Sequence, residues 1–247
     1  MIGRRFHQLA AGLATAAMVA YPASPRGAVR RGLSTVVVGS LFATTGAGAS
    51  RRWGTARASV AVLIGLAVTG AAEHIGVRSG RPFGRYSYTG ALRPQFGGVP
   101  VVVPMAWCAM ALPAREAAHA ALGDRSSPVR RVVAGAAALT AWDLFLDPQM
   151  VGEGYWAWER VGRYRGVPLS NFVGWFVVGV AAMAVLEVTL PPSEPSVDLV
   201  AEYAGMASME TFAFAAFFRD PLVAIVGGAA MLPIAATAVA RLVGQRT

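Results

Sequence analysis

Long apolar stretches alternate with short segments rich in Arg, Gly and Pro along the whole chain. A helix that crosses a bilayer needs roughly 20 mostly apolar residues, with about 17 as a practical minimum. Eight stretches approach or meet that length, at 8–21, 33–49, 59–75, 99–118, 132–146, 172–190, 199–218 and 222–242. The first is short. The fourth holds Pro104 and Pro113, and the eighth holds Pro233. The alternating in–out pattern of a β-barrel is absent. The pattern predicts an all-α polytopic membrane bundle of about seven or eight transmembrane helices. It forms one integral membrane domain over 1–247 and lies in the cell membrane as a multi-pass protein.

Composition points the same way. Of 247 residues, 55% are hydrophobic and only 14% charged, against about 25% charged in an ordinary soluble domain. The mean hydropathy is +0.50. The net charge is +9, and every basic residue apart from three histidines is Arg. Because the arginines lie between apolar runs, they suit lipid headgroups rather than nucleic acid. The arginines divide nearly evenly between the two sides of an eight-span topology, so charge does not set the orientation. The N-terminal run, with Arg4 and Arg5 before it and Ala23 after it, is read as a retained helix rather than a cleaved signal peptide. The single cysteine, Cys108, excludes an intrachain disulfide and a cysteine zinc cluster, and His7, His74 and His119 lie far apart. No metal site is expected.

A local echo organises the middle of the chain. Gly84-Arg85-Tyr86 precedes Gly98-Val99-Pro100, with Trp107 seven residues after Pro100. Gly162-Arg163-Tyr164 precedes Gly166-Val167-Pro168, with Trp175 seven residues after Pro168. Duplication of a helix–loop–helix unit and coincidence of short motifs both account for it. In either case the loops 76–98 and 147–170 are separated by two spans, so they emerge on one side of the membrane.

Carboxylates inside a bilayer are costly and are site candidates by default. Glu73 and His74 close the third run, as an acid/base pair at a pocket mouth or as an interfacial helix end paired with Arg78 or Arg81. Asp143 and Asp147 stand one helical turn apart. They suit a proton donor with a partner, or a magnesium site for a diphosphate. Alternatively, Asp147, which precedes Pro148, simply ends its helix. Tyr155-Trp156-Ala157-Trp158-Glu159 suits an interfacial aromatic belt or an aromatic site for a polyene or carbocation. Tyr86 and Tyr88 carry the same two readings. Asn171, near Trp175, caps or pairs helices, or enters a site. Glu202 and Glu210 are read as packing or interfacial residues.

The run Glu73-His74-Ile75-Gly76-Val77, the stretch Gly80-Arg81-Pro82-Phe83-Gly84-Arg85-Tyr86-Ser87-Tyr88-Thr89, and above all Thr140-Ala141-Trp142-Asp143-Leu144-Phe145-Leu146-Asp147-Pro148-Gln149-Met150-Val151 resemble a family of membrane carotenoid-biosynthesis proteins. That family includes the acyclic carotenoid hydratases. Gly98-Val99-Pro100, Ala106-Trp107, Tyr164, Gly166-Val167-Pro168 and Asn171-Phe172-Val173-Gly174-Trp175 extend the likeness over residues 73–175. The resemblance implies addition of water to the terminal double bond of an acyclic carotenoid end, giving a tertiary alcohol without a cofactor. The expected partners are a lipophilic carotenoid and the bilayer, not nucleic acid. On that reading Asp143 is the leading proton donor. Asp147, Glu73 or Glu159 orients water or acts as base, assisted by His74. Tyr86, Tyr88, Arg85, Trp156, Trp158, Asn171 and Trp175 bind substrate. Two other readings stay open: magnesium-dependent prenyl transfer using Asp143/Asp147 and Asp198/Glu202, and non-catalytic carotenoid binding.

Overall fold

A computed structural model describes residues 2–123, 126–191 and 194–244. Eight α-helices are present among them: α1 (Ile2–Ala23), α2 (Ala28–Trp53), α3 (Thr55–Ser79), α4 (Val102–Leu122), α5 (Pro128–Gly152), α6 (Leu169–Thr189), α7 (Val197–Ala216) and α8 (Pro221–Gly244). Each of the eight predicted runs corresponds to one of them. The protein is an all-α helical membrane bundle. By length and apolarity alone, α2, α3, α6 and α8 are able to cross a membrane. The other four carry charged side chains; those of α1 are exposed, whereas Arg115 and Glu116 of α4 and Asp143 and Asp147 of α5 are buried. In α4 nearly every residue from Trp107 to Ala120 is buried, including Arg115, Glu116 and His119. This helix sits at the centre, packed by α2, α3, α5, α7 and α8. A central helix meets protein rather than lipid, so it tolerates polar groups provided they are paired. Arg115 reaches Glu116 at 2.5 Å and Glu187 at 3.4 Å, and Arg131 also pairs with Glu187.

Several prolines lie inside helices without ending them, and in α4 and α5 a distant hydroxyl serves the carbonyl so freed. Proline lacks the N–H that would bond the carbonyl four residues back. Pro148 lies inside α5, so Asp147 does not end the helix, contrary to one of the two expectations from sequence. The carbonyl left bare is that of Leu144, and the Tyr164 hydroxyl donates to it at 2.9 Å. Pro113 leaves the carbonyl of Ala109 bare, and the Thr45 hydroxyl donates to it at 2.9 Å. Leaving a buried acceptor unpaired costs about 1–3 kcal/mol. Tyr164→Phe should therefore lower the thermal unfolding temperature in detergent, and adding Pro148→Ala, which restores the helical N–H, should recover most of the loss. A double variant as unstable as the single one would refute this pairing.

The two loops that the echo marks do emerge together. They also contain strands, which the hydropathy pattern does not predict. Strand β1 (Tyr86–Tyr88) pairs antiparallel with β4 (Trp156–Trp158), placing Tyr86 opposite Trp158 and Tyr88 opposite Trp156. A second pair, β2 (Gln95–Phe96) with β3 (Val99–Pro100), precedes α4. In a strand, alternate side chains share a face. Tyr-Ser-Tyr and Trp-Ala-Trp therefore place four aromatic rings on one side of the ribbon. Those rings touch: Tyr86–Trp158 and Tyr88–Trp156 centroids are 5.0 and 5.6 Å apart. Gly80 ends α3 in the left-handed region, at φ 73°, and turns the chain into this ribbon.

Candidate functional site

The four rings face a cavity of about 310 Å³ whose wall is overwhelmingly apolar. It lies in the half of the bundle nearest the ribbon. Its wall is formed by the ends of α1, α3, α5 and α6 and by neighbouring parts of α2, α4 and α7. Among the described residues the charged side chains on the wall are all acidic, namely Glu73, Asp147 and Glu210.

Glu73 is held by three donors from three elements. Tyr86 and Tyr88 donate to Oε2 at 2.5 and 2.7 Å, and Trp107 Nε1 donates to Oε1 at 3.0 Å. Glu73 is 4% exposed. Burial, then the nearby Glu73 charge, pushes both tyrosine hydroxyls above their ordinary range, so they stay protonated and remain donors. Trp107 is held in turn by its counterpart in the echo. It stacks on Trp175 with centroids 3.6 Å apart and planes 12° from parallel. Phe83, wholly buried, packs edge-on to Tyr86 and against Trp107. Its carbonyl accepts from the Ser170 hydroxyl at 2.9 Å, tying the first loop to the start of α6. Gly174 permits this contact, since a Cβ there would lie 2.9 Å from the Phe83 backbone.

Because α5 continues through Pro148, Asp143 and Asp147 lie on one face, one turn apart. Asn171 donates to both, at 2.7 Å to Asp143 Oδ2 and also to Asp147 Oδ2. Trp156 Nε1 donates to Asp147 Oδ1 at 2.6 Å. Asp147 is on the cavity wall. Asp143 is fully buried, is not on that wall, and its Oδ1 has no partner. Neither carboxyl forms an ion pair among the described residues.

The structure brings together Glu73, Asp147, Tyr86, Tyr88, Trp156, Trp158, Asn171 and Trp175 around one cavity, with Asp143 directly behind Asn171. It does not bring His74, Arg85 or Glu159 there. Arg85 and Glu159 each sit one position from an inward ring, so the period of two turns them outward. Their side chains are 70% and 66% exposed and meet each other at 3.8 Å. His74 is one step around α3 from Glu73 and lies against Gly97. Trp107, Trp142 and Glu210 are also on the wall and have no site role in the reading from sequence. Trp107 and Trp142 stand there only as parts of longer motifs, although the repeated spacing of Trp107 and Trp175 signals their pairing. Glu210 reads there as a packing residue, although a carboxyl in an apolar run is itself a signal. Asp198 and Glu202 are off the wall. Asp198 pairs with Arg51 at 2.9 Å and Glu202 with Thr45 at 2.7 Å, so the second acidic pair does not face the first. No group of three metal-ligating side chains suited to an ion is found among the described residues.

Comparison with known proteins adds a family likeness. The model of a family described as carotenoid biosynthesis protein matches residues 13–243. A bisanhydrobacterioruberin hydratase from Haloarcula japonica is 33% identical over 117 residues. That stretch covers 47% of this chain and 40% of the relative, so the chain matches less than half of the relative's length. No solved structure matches.

Proposed function

Because the chain belongs to the carotenoid biosynthesis protein family, we propose that it is a multi-pass membrane hydratase, a single domain that adds water to the terminal double bond of an acyclic carotenoid end. The observation that carries the reading is the cavity: apolar, walled by aromatic rings, and bearing carboxyls but no basic side chain among the described residues. Such a wall repels anionic substrates such as diphosphates and favours a hydrocarbon on which positive charge develops. The partial likeness to a hydratase supports the same chemistry.

An unactivated alkene takes up water only after protonation. Asp143 and Asp147 share one side-chain amide, Asn171, and have no cation beside them among the described residues, so the pair holds a single proton between them. Asp147, on the wall, delivers it to the less substituted alkene carbon. A C–H bond forms, and the tertiary carbon becomes cationic. The Asp147 carboxylate, Glu73 and the faces of Trp156, Trp158 and Tyr86 offset the charge. Water adds through its oxygen, and its surplus proton returns to the aspartate pair. The product is the tertiary alcohol, and the acid is restored. Asp147 thus takes the donor role that the sequence suggests for Asp143, which becomes a positioning residue and proton reservoir.

The test is expression in a bacterium engineered to make lycopene, with extracted pigments analysed by mass spectrometry. A mass gain of one or two waters is the expected result. Pigment left unchanged by membrane-inserted protein, with lycopene and with monocyclic carotenoids that keep one acyclic end, would overturn the reading.

A further inference from the structure

The cavity does not stop at the carboxyls. It continues away from the ribbon to the end of α1, at Val19 and Tyr21, to α7, at Glu210 and Phe212, and to the turn after α7, at Phe217 and Phe218. Several of these wall residues also lie on the outer flank of the bundle. Val19 is 61% exposed, Phe212 63% and Phe217 51%. A side chain that lines a cavity and is also open to the surroundings marks a mouth. Helix packing explains why one exists here: α1 packs along α2, and α7 packs along α8 and α4. Among the described residues α1 and α7 share no comparable seam. The end of α1 meets the turn after α7, where the Tyr21 and Phe218 rings stand edge to face with centroids 6.3 Å apart.

We propose that the gap between α1 and α7 is a lateral passage through which the end of an acyclic polyene slides from the bilayer to Asp147. The inference rests on the hydratase reading for the identity of the occupant, and on the wall itself for the path. A polyene dissolved in lipid tails gains nothing by crossing the charged loop face, where Arg26 and Arg30 pair with Glu153. The flank between α1 and α7 presents Val19, Phe212 and Phe217, which match lipid tails in polarity. The cavity is continuous from that flank to Glu73 and Asp147, so the reacting end reaches the acid while the rest of the chain stays in the membrane. Glu210 stands on the passage wall with neither hydrogen bond nor ion pair among the described residues. The passage therefore differs from the tightly paired Glu73 site in having an uncommitted polar group.

The experiment bridges the gap reversibly. In a Cys108→Ala background, Val19→Cys and Phe212→Cys are introduced, and membranes are treated with a short, reducible bifunctional thiol reagent. Two quantities are followed with added lycopene: quenching of tryptophan fluorescence as the pigment reaches Trp156 and Trp158, and formation of the hydrated product. Cross-linking should slow quenching at least tenfold, and hydration with it, and reduction should restore both. Cross-linked protein that takes up pigment at the open rate would overturn the passage, as would open protein in which lycopene never quenches. Quenching that is blocked by the bridge and restored by reduction, with no hydration in any state, would uphold the passage and reject the hydratase reading.

Discussion

Asp147→Asn should reduce hydration of an acyclic carotenoid end by about 10³-fold, within the range of about 10²–10⁴ that a positioned general acid supplies. The substitution keeps the side-chain volume, and the protein should still insert and bind pigment. What it removes is the member of the aspartate pair that stands on the wall and carries the proton to the substrate in this scheme, since Asp143 is not on the cavity wall. It also sets an amide against the donors Trp156 Nε1 and Asn171 Nδ2, so one donor–donor conflict adds a modest stability loss. Asp143→Asn should fall less far, by roughly 10- to 100-fold, because it disturbs the shared proton without removing the group that delivers it. The check is initial rate of product formation in proteoliposomes, normalised to pigment bound as read by tryptophan quenching. If Asp143→Asn is the more damaging of the two, Asp143 is the donor and Asp147 its support. If Asp147→Asn retains full activity, the acid lies elsewhere.

The helices are legible in the sequence because each buries or lipid-faces a run long enough to show. The ribbon is not. Three residues of Tyr-Ser-Tyr or Trp-Ala-Trp give too short an alternation to separate a strand from an interfacial aromatic cluster. That single omission accounts for the two outward residues. Without strand periodicity, Arg85 and Glu159 look as close to the site as Tyr86 and Trp158, whereas the pleat places them on the opposite face. The same holds on a helix for His74, which is a neighbour of Glu73 in sequence but about 100° away around the axis. The continuation of α5 is hidden for another reason. A proline after Asp147 argues for a helix end unless a distant donor serves the bare carbonyl, and Tyr164 does so from the far side of the loop. The buried carboxyls themselves are legible, since cost in a bilayer singles them out wherever they fall. Their arrangement into one donor-satisfied glutamate and one aspartate pair depends on tertiary pairing that single letters do not carry.

Glu73→Gln is the second large effect expected, a drop of roughly 10²–10³-fold, comparable to removing one preorganised electrostatic contact in other enzymes. Glu73 does not donate the proton in this scheme. Its part in the scheme is to place a negative charge on the wall where the tertiary cation forms, and its cradle of Tyr86, Tyr88 and Trp107 consists of three neutral donors, which favour the ionised carboxylate. Glutamine has the same shape and no charge, and its NH₂ group must face either a tyrosine O–H or the Trp107 N–H. The tyrosines adapt by rotating their hydroxyls. The indole cannot rotate its N–H without breaking the Trp107–Trp175 stack. The amide should therefore settle with its oxygen toward Trp107 and its nitrogen toward the tyrosine oxygens, which then act as acceptors. Because that arrangement is available, the variant should fold, and the deficit should be one of rate rather than of pigment uptake. Comparing Glu73→Gln with Tyr86→Phe and Tyr88→Phe separates charge from packing. Each phenylalanine keeps the ring and the carboxylate but removes one donor, so each should cost far less than Glu73→Gln. If the tyrosine variants are as inactive as Glu73→Gln, the hydroxyls rather than the charge take part in the reaction, and the proton route must be redrawn through Tyr86 or Tyr88.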